Sequence, residues 1–296
     1  MGSRLDPTSP DAHAEIGVIG GSGLYELLDA TDGRLVGTVL PDTPFGRPSD
    51  PLVLAEIGGR RVAFLPRHGA DHRFPPHRIP YRANLFALHL LGVTRVLAPC
   101  AVGSLDPALA PGTVVVPDQL LDRATGRERT FYDTAAVHIP FADPYCPDGR
   151  ATVLAVAAER GLGPRDGATM AVVDGPRFST RAESRELAAA GAALINMTGQ
   201  PEAALARELA LCYTCVALVT DLDAGMSRGE AVTQHEVFST FAQYTALLRG
   251  LVLATVPALA LDRPCACGDA LAGTTAEGRP GMPALPAAPP GQPVAP

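Results

Sequence analysis

Residues 15–23 of the sequence read EIGVIGGSG, an apolar run that leads directly into a glycine-rich turn. The segment 15–20 predicts a short buried strand, because apolar side chains dominate it without polar alternation. Glycines in the turn let a ligand approach the backbone, and successive N–H groups there form a nest for an anion. A tight turn without a ligand fits the pattern equally well. A dinucleotide fingerprint does not fit, since its third glycine would fall at Glu26.

Strand-like and helical patterns alternate along the rest of the chain. Further strands are predicted at 52–57, 62–66, 95–99, 113–117, 169–173, 193–196 and 213–220. Apolar residues at three-to-four spacing predict helices at 81–91, 150–160, 180–190, 201–209 and 235–253, the last of them ending before Pro257. This order predicts an α/β fold with a mixed sheet flanked by helices.

Length and composition predict one large domain with two flanking segments. The 296 residues are 47% hydrophobic, which suffices for a sizeable core in residues 15–265. Residues 1–14 are polar and predict a disordered leader, and residues 266–296 are rich in Pro, Ala and Gly and predict a flexible tail. Because the sequence has no apolar run long enough for a signal peptide or membrane span, we expect a cytoplasmic protein with reduced cysteines.

The charged residues exclude several classes of function. A net charge of −7 argues against a general nucleic-acid binder, which needs a basic surface to displace counterions. All 24 basic residues are arginine, so the chain contains no lysine. Schiff-base and pyridoxal-phosphate mechanisms need a lysine amine, and a Walker A loop needs its lysine, so all three are excluded.

Arg67 and His68 directly follow the predicted strand VAFLP and form a candidate anion site. The planar fork of arginine suits phosphate oxygens. His68, His72 and His77 also have a spacing that a metal site uses, but three arginines are interleaved with them, and their charge repels a cation. A solvated surface loop is the alternative for this stretch.

Two further constellations follow predicted strands. In Asn196-Met197-Thr198, the threonine hydroxyl can share an anion with the next helix N-terminus, or Thr198 can act only as a helix N-cap. Asp221 and Asp223 follow the strand at 213–220, where ligands bind in open α/β sheets. A carboxylate at the end of a buried strand is costly unless it has a partner. That partner could be a ligand, a divalent metal ion, or the backbone N–H groups of a helix that the carboxylate caps.

Taken together, these motifs resemble the methylthioadenosine phosphorylase branch of the trimeric purine nucleoside phosphorylase family. The resemblance covers nearly all of residues 15–260. The matching stretches are IGVIGGSGLYELL, FLPRHGADHRFPPHRIPYRANLFAL, GSLDPALAPGTVVVPDQLLDRATGRERTFYD, VHIPFADPYCP, DGPRFSTRAESREL, INMTGQPEAALARE and TDLDAG.

The resemblance implies a role for each matching residue. The phosphate site would contain Ser22, Arg67, His68, Cys100, Ala101 and Thr198. The nucleoside site would contain Phe178, Ser179, Met197, Asp221, Asp223, Gln234 and Val237, together with His138 from a neighbouring subunit of a homotrimer. Nucleoside and phosphate would be the only partners, with no nucleic acid, membrane, metal or organic cofactor.

The implied reaction is phosphorolysis of 5'-deoxy-5'-methylthioadenosine. Phosphate below C1' would stabilise the developing ribosyl cation and then capture it. Asp221 is the candidate donor of a proton to purine N7, since burial raises the pKa of a carboxyl group. A carboxylate also accepts hydrogen bonds from a 6-amino group and repels a 6-oxo group, so the sequence predicts adenine rather than hypoxanthine or guanine.

Several residues depart from the family pattern. Cys100 replaces a threonine beside the phosphate with a weaker donor, unless it is only a small core residue. Gln234 appears at a position where relatives line the 5'-pocket with apolar groups. A polar group there leaves open a substrate with a 5'-hydroxyl, chloro or fluoro group. The alternative is that Gln234 faces solvent.

Cys265 and Cys267 resemble a CXC motif found in some archaeal relatives. The pair could have a redox or stabilising role, or it could be inert. Cys212 and Cys215 lie on opposite strand faces, so they predict no metal pair or local disulfide.

Two other functions fit the same residues less well. A nucleosidase would use water as its nucleophile, and it would not need the Arg67-His68 anion site. A non-catalytic binding module would tolerate loss of Asp221 or of the arginine, and both are present.

Overall fold

A computed structural model describes residues 3–21, 34–226 and 232–281, and within them eleven strands form one mixed sheet. Ser22, the predicted phosphate-binding hydroxyl, lies outside the described residues. The strands are β1 Ile16–Gly20, β2 Arg34–Val39, β3 Leu52–Ile57, β4 Arg60–Pro66, β5 Arg95–Ser104, β6 Val114–Val116, β7 Gln119–Asp122, β8 Arg165–Asp166, β9 Thr169–Val172, β10 Leu194–Asn196 and β11 Cys212–Leu222.

Five α-helices lie within the same described ranges. They are α1 Tyr81–Leu90, α2 Pro147–Glu159, α3 Arg181–Ala189, α4 Gly199–Glu208 and α5 Gln234–Ala258. Short 3₁₀ turns occupy Pro10–Ala12, Pro76–Arg78 and Ala266–Asp269. The prediction of a mixed sheet flanked by helices is confirmed.

The sheet is organised around the long strand β5. The main strand order is β2-β3-β4-β1-β5-β10-β9-β7, and β11 pairs with β5 outside this path. The first residues of β5 pair with β1 in parallel, and its last two residues pair with β10 in the antiparallel direction. β11 runs parallel to β5 over the whole length of both strands. The carboxyl ends of β1, β4 and β11 therefore open toward the same region as the end of β5.

Side chains of the central strands alternate between two cores, one on each face of the sheet. Val96 and Ala98 of β5 pack with Leu85 of α1 and Leu205 of α4. Leu97 lies on the other face, in the core formed with α2 and α5. Since both faces are covered, the strand burial is nearly continuous, which is the pattern that the apolar runs predicted.

The structure extends several elements beyond their predicted limits. β5 continues from its predicted end at residue 99 to Ser104, and β11 from residue 220 to Leu222, because ladder hydrogen bonds between the two strands persist there. The edge strand β2 was not predicted, since its pairing with β3 depends on tertiary contacts. α5 was predicted to end before Pro257 but continues to Ala258, because proline one residue from a helix end removes only one hydrogen bond.

Both terminal segments differ from their prediction. In the leader, Ala12 and Ala14 are buried and the Ala14 amide donates to Leu91 O. In the tail, Leu271 and Ala276 are buried within the core that contains α1 and α4. Residues 3–14 and 266–281 therefore pack against the domain, although their composition predicts disorder, because the domain offers them apolar surface.

Helix α5 has two unlike halves. Its buried residues all lie in the C-terminal half, where Leu248, Leu251 and Val252 pack beneath the sheet. In the N-terminal half, Phe238 is 47% exposed. By length and mean hydropathy α5 is the one helix in the described part of the chain that could cross a membrane, but core helices meet the same criteria.

Candidate active site

A cavity of about 320 Å³ opens at the carboxyl ends of the central strands. Its size is that of a small-molecule site, and its wall is mainly apolar with a few converging polar groups. Most of the predicted site residues line it, namely Arg67, His68, Cys100, Ala101, Phe178, Ser179, Met197, Thr198, Asp221, Asp223 and Val237. They come from β5, from the end of β11, from turns that follow β4, β9, β10 and β11, and from α5, so only the fold brings them together.

Two predicted residues do not line this cavity. Gln234 is the first residue of α5 and is exposed, and the wall contributed by this helix consists of Val237, Phe238 and Phe241 instead. The prediction that Gln234 lines the pocket is therefore wrong for this cavity, and the alternative that it faces solvent fits. His138 is exposed in the loop before α2.

A β-bulge directs Asp221 into the cavity. Val219 pairs with Val102, and Asp221 pairs with the next residue, Gly103, so Thr220 is the extra residue on β11. The Thr220 hydroxyl lies 2.7 Å from Asp221 Oδ2 and fixes the orientation of the carboxyl group.

The two carboxyl groups at the end of β11 are held in different ways. Burial raises the pKa of Asp221 to about 6, and the nearby Asp223 adds to this effect while Thr220 opposes it. Burial also raises the pKa of Asp223, against the hydrogen bond that the Ser184 hydroxyl donates to its Oδ2 at 2.6 Å. Asp221 is therefore protonated in a substantial fraction of molecules just below neutral pH, which suits a general acid.

Gly103 leaves the space that Asp221 occupies. A Cβ on Gly103 would lie 2.9 Å from Ile195 Cγ2 and 3.1 Å from Asp221 Oδ1. We expect Gly103→Ala to displace the carboxyl group and lower kcat/KM by roughly 10- to 100-fold, measured by steady-state kinetics on the best substrate. Gly17→Ala is the matched control, since its Cβ would press on Leu88 and Val93 at 3.1 Å, away from the cavity. Equal losses of activity in both variants would contradict this role of Gly103.

Arg67 also lines the cavity, and its guanidinium group forms a buried ion pair. Its Nε and Nη2 donate to the two carboxylate oxygens of Glu202 at 2.8 and 3.0 Å, and Nη2 also donates to Ile19 O. Burial disfavours the charge of Arg67, but Glu202 more than offsets this effect, so the pKa of Arg67 lies above its usual value. Nη1 makes only a long 3.4 Å contact with Pro99 O and is the nitrogen left for an anion.

The sequence did not single out Glu202, the partner of Arg67. It is the second residue of the predicted helix PEAALARELA, where an acidic residue needs no explanation beyond the helix dipole. The structure buries it completely and gives it a second donor, the Tyr213 hydroxyl at 2.7 Å. Arg67 is 135 residues away, and Tyr213, 11 residues away, lies on the next strand, so no local pattern could reveal this network.

His68 is neutral rather than cationic. Its Nδ1 lies 2.8 Å from Phe74 O, so this nitrogen carries the proton and Nε2 is an acceptor. The pKa of His68 is lowered to about 4, mainly by burial and with smaller contributions from Arg67 and His72, while the Phe74 carbonyl opposes the shift. His68 can therefore accept a hydrogen bond from a hydroxyl of a ligand, but it adds no charge to an anion site near pH 7.

Asn196 organises the turn that contains Thr198. Its Oδ1 accepts from the backbone amides of Thr198 and Gly199 at 2.6 and 2.7 Å, and its Nδ2 donates to Ala101 O. The Thr198 side chain makes no capping hydrogen bond to α4. The alternative of a simple N-cap is thus wrong. The Thr198 hydroxyl donates to Asn196 Oδ1 at 3.3 Å, and Thr198 lines the cavity.

Arg127 connects the two turns that bear Met197 and Phe178. Its guanidinium group donates to Met197 O at 2.9 Å, to Val173 O at 3.2 Å and to Asp174 O at 2.8 Å. Its side chain is almost fully buried. A planar group with five donors on three nitrogens can bridge carbonyls that lie apart, whereas the three donors of lysine are on one nitrogen.

Comparison with known proteins identifies the class of this protein. The model of the phosphorylase superfamily matches residues 15–256. The S-methyl-5'-thioadenosine phosphorylase of Mycobacterium tuberculosis is 55% identical over 250 residues, which cover 84% of this chain and 91% of that protein. The purine nucleoside phosphorylase of Streptomyces coelicolor is 54% identical over 271 residues, covering 88% and 95%.

A solved structure agrees with these relatives. The crystal structure of a methylthioadenosine phosphorylase from an antarctic soil metagenomic library superposes with a TM-score of 0.82 at 38% identity, covering 89% of this chain and 92% of that one. The chain therefore belongs to the phosphorylase superfamily. Within it, the chain is an enzyme of the nucleoside phosphorylase type, a pentosyltransferase, as the resemblance in the sequence indicated.

Proposed function

We propose that this enzyme cleaves 5'-deoxy-5'-methylthioadenosine with phosphate, yielding adenine and 5-methylthioribose 1-phosphate. The observation that carries the proposal is the buried carboxyl group of Asp221, whose pKa of about 6 and position beside the cavity suit donation to purine N7. When ionised, the same group accepts a hydrogen bond from a 6-amino group. The names of the mycobacterial relative and of the metagenomic structure support this substrate.

We assign three of the lining residues to phosphate. Arg67 Nη1 and the Thr198 hydroxyl would donate to its oxygens, and the neutral His68 can accept a phosphate O–H. Ser22 and the backbone near Ala101 complete the phosphate site as the family resemblance implies. Cys100 is a weak contributor, because its thiol lies 3.6 Å from Cys215 and is shared with it.

The proposed mechanism requires only positioning and one proton. Phosphate attacks C1' of the ribose as the C1'–N9 bond breaks, and purine N7 receives the proton of Asp221. Phe178 and Met197 form the apolar walls that hold base and ribose. We propose that no metal ion or organic cofactor takes part in this step.

The apolar wall formed by Val237, Phe238 and Phe241 favours a methylthio group over a 5'-hydroxyl. It does not discriminate strongly against a 5'-chloro or 5'-fluoro group, and these substrates are the second candidates. A broader purine nucleoside phosphorylase activity is the third, supported by the name of the Streptomyces relative.

We further propose a cytoplasmic homotrimer in which His138 reaches the cavity of a neighbouring subunit. The exposed His138 and the 47% exposed Phe238 at the cavity rim support an interface there. Light scattering is expected to give three chains per particle. In that assembly His138→Ala is expected to raise the KM for nucleoside and leave the KM for phosphate unchanged, and a monomer would contradict the arrangement.

The decisive assay measures adenine release from methylthioadenosine with and without phosphate. Adenosine, 5'-chloro-5'-deoxyadenosine, 5'-fluoro-5'-deoxyadenosine and methylthioinosine are compared under the same conditions. We expect phosphate-dependent cleavage that is fastest on methylthioadenosine. Cleavage without phosphate would indicate a nucleosidase, a faster halogenated or 5'-hydroxyl substrate would reassign the 5'-group, and a preference for methylthioinosine would contradict the role of Asp221.

A further inference from the structure

Four cysteines from distant parts of the sequence meet at one point, away from the cavity. Cys146 precedes α2, Cys212 begins β11, and Cys265 and Cys267 lie in the segment after α5. Their four sulfur atoms all lie within 4.8 Å of one another. Cys265 is half-buried and the other three are buried.

The distances between the sulfur atoms suit a shared metal ion. The Sγ of Cys265 lies 3.6 Å from that of Cys146 and 3.4 Å from that of Cys212. In a tetrahedral site with Zn–S bonds of about 2.3 Å, neighbouring sulfurs are about 3.8 Å apart. Two independent disulfides would require only that each pair be close, whereas here all four thiols converge.

One sulfur of the cluster lies where a helix end stabilises negative charge. Cys146 is the N-cap of α2, so its Sγ accepts from the Gly149 amide at 3.4 Å at the positive end of the helix. The charges of the buried Arg95 and Arg207 also act on the cluster. Such an environment suits thiolates, which are the form that binds metal.

We propose that Cys146, Cys212, Cys265 and Cys267 together bind one zinc ion. Four thiolates in a tetrahedral arrangement form a closed site, and soft sulfur ligands select zinc over hard cations such as Mg²⁺. On binding, each thiol that is still protonated releases its proton to solvent, and no sulfur is oxidised. This proposal differs from the sequence-based expectation of no metal site.

The zinc site is structural rather than catalytic. Cys212 begins β11 and Asp221 stands near its other end, about 30 Å away at about 3.3 Å per residue of strand. The ion would join the segment after α5 to α2 and β11. This segment also contacts the domain through Arg263 Nη1, which donates to Ala210 O at 2.7 Å, and through the Gly281 amide, which donates to the Tyr132 hydroxyl at 3.0 Å.

The first measurement is the metal content of the full chain, purified without metal-affinity resin or chelators. Elemental mass spectrometry is expected to find about one zinc ion per chain. The variant Cys265→Ser/Cys267→Ser is expected to lose this zinc. Cys215→Ser is the matched control and is expected to keep it, because Cys215 lies on the other face of β11, beside Cys100.

A second measurement does not depend on how the variants fold. Wild-type protein unfolded with a chelator and refolded with Co²⁺ is expected to show the visible absorption of a tetrahedral cobalt–thiolate centre. Removal of zinc is expected to lower Tm by on the order of 10 °C, since metal binding free energy is folding free energy.

Several results would overturn the proposal. They are iron or copper in place of zinc, four free thiols without any metal, zinc retained by the double variant, and disulfides among these cysteines in a non-reducing peptide map. None of these results would affect the proposed phosphorolysis.

Discussion

Asp221→Asn is expected to lower kcat on methylthioadenosine by roughly 10²- to 10⁴-fold, the range of one general acid. Asparagine keeps the shape of the side chain, but it supplies no proton to N7. The loss should appear in kcat as well as in kcat/KM, because the proton is needed in the transition state rather than for binding. Steady-state kinetics at saturating phosphate measure both parameters.

The pH dependence gives this variant a second readout. Because burial raises the pKa of Asp221 to about 6, the acid form is present below that pH and is lost as pH rises through it. The wild-type profile of kcat/KM should therefore have a descending limb with an apparent pKa of about 6, which Asp221→Asn removes. Phosphate also ionises near neutral pH, but its contribution is the same in both proteins and cancels in their ratio.

Substrate preference tests the same carboxyl group in another way. An asparagine amide can donate a hydrogen bond to a 6-oxo group, so Asp221→Asn should raise the kcat/KM for methylthioinosine relative to that for methylthioadenosine. Asp223→Asn is the comparison variant and should keep the descending limb, since Asp223 is held by Ser184. Wild-type kcat in Asp221→Asn would show that Asp221 is not the acid.

Glu202→Gln is expected to destabilise the protein by about 3–5 kcal/mol. Glutamine removes the negative charge but leaves the Arg67 guanidinium buried, with a 3% exposed side chain. An uncompensated buried charge is the reason for the large cost. In thermal unfolding the loss corresponds to a Tm decrease on the order of 10 °C.

Phosphate should partly rescue this variant. A bound anion supplies the negative charge that Glu202 no longer provides, so phosphate should raise the Tm of Glu202→Gln by more than that of wild type. Glu208→Gln is the matched control on the same helix, since Glu208 is also buried but accepts from Thr130 and the Phe131 amide rather than from Arg67. Similar behaviour of the two variants would show that the Arg67–Glu202 pair has no special role.

Strand periodicity predicted which face of β11 each cysteine occupies, but not which other residues it meets. Alternation along β11 predicted that Cys212 and Cys215 face opposite sides, and the structure confirms it, with Cys215 beside Cys100 and Cys212 in the four-cysteine cluster. The cluster itself was not predictable. Its four members come from three separate segments, and only folding brings those segments together.

The terminal segments show that amino-acid composition alone does not predict whether a segment packs against a domain. Pro, Ala and Gly predicted a flexible tail from residue 266, yet Leu271 and Ala276 are buried. A segment poor in apolar residues does not fold alone, but it can cover apolar surface that a domain already presents. Composition thus predicts how the segment behaves on its own, whereas in the structure residues 266–281 pack against the domain.

The sequence by itself determined the alternation of strands and helices, the family, and the residue types at the ends of β4, β10 and β11. Each of these depends on short-range periodicity or on ordered motifs within one segment. Only the tertiary structure decided that Arg67 pairs with Glu202, that His68 is neutral, that a bulge at Thr220 directs Asp221, and that Gln234 is exposed. These features depend on burial and on contacts between residues far apart in the chain, and a linear pattern contains no information on either.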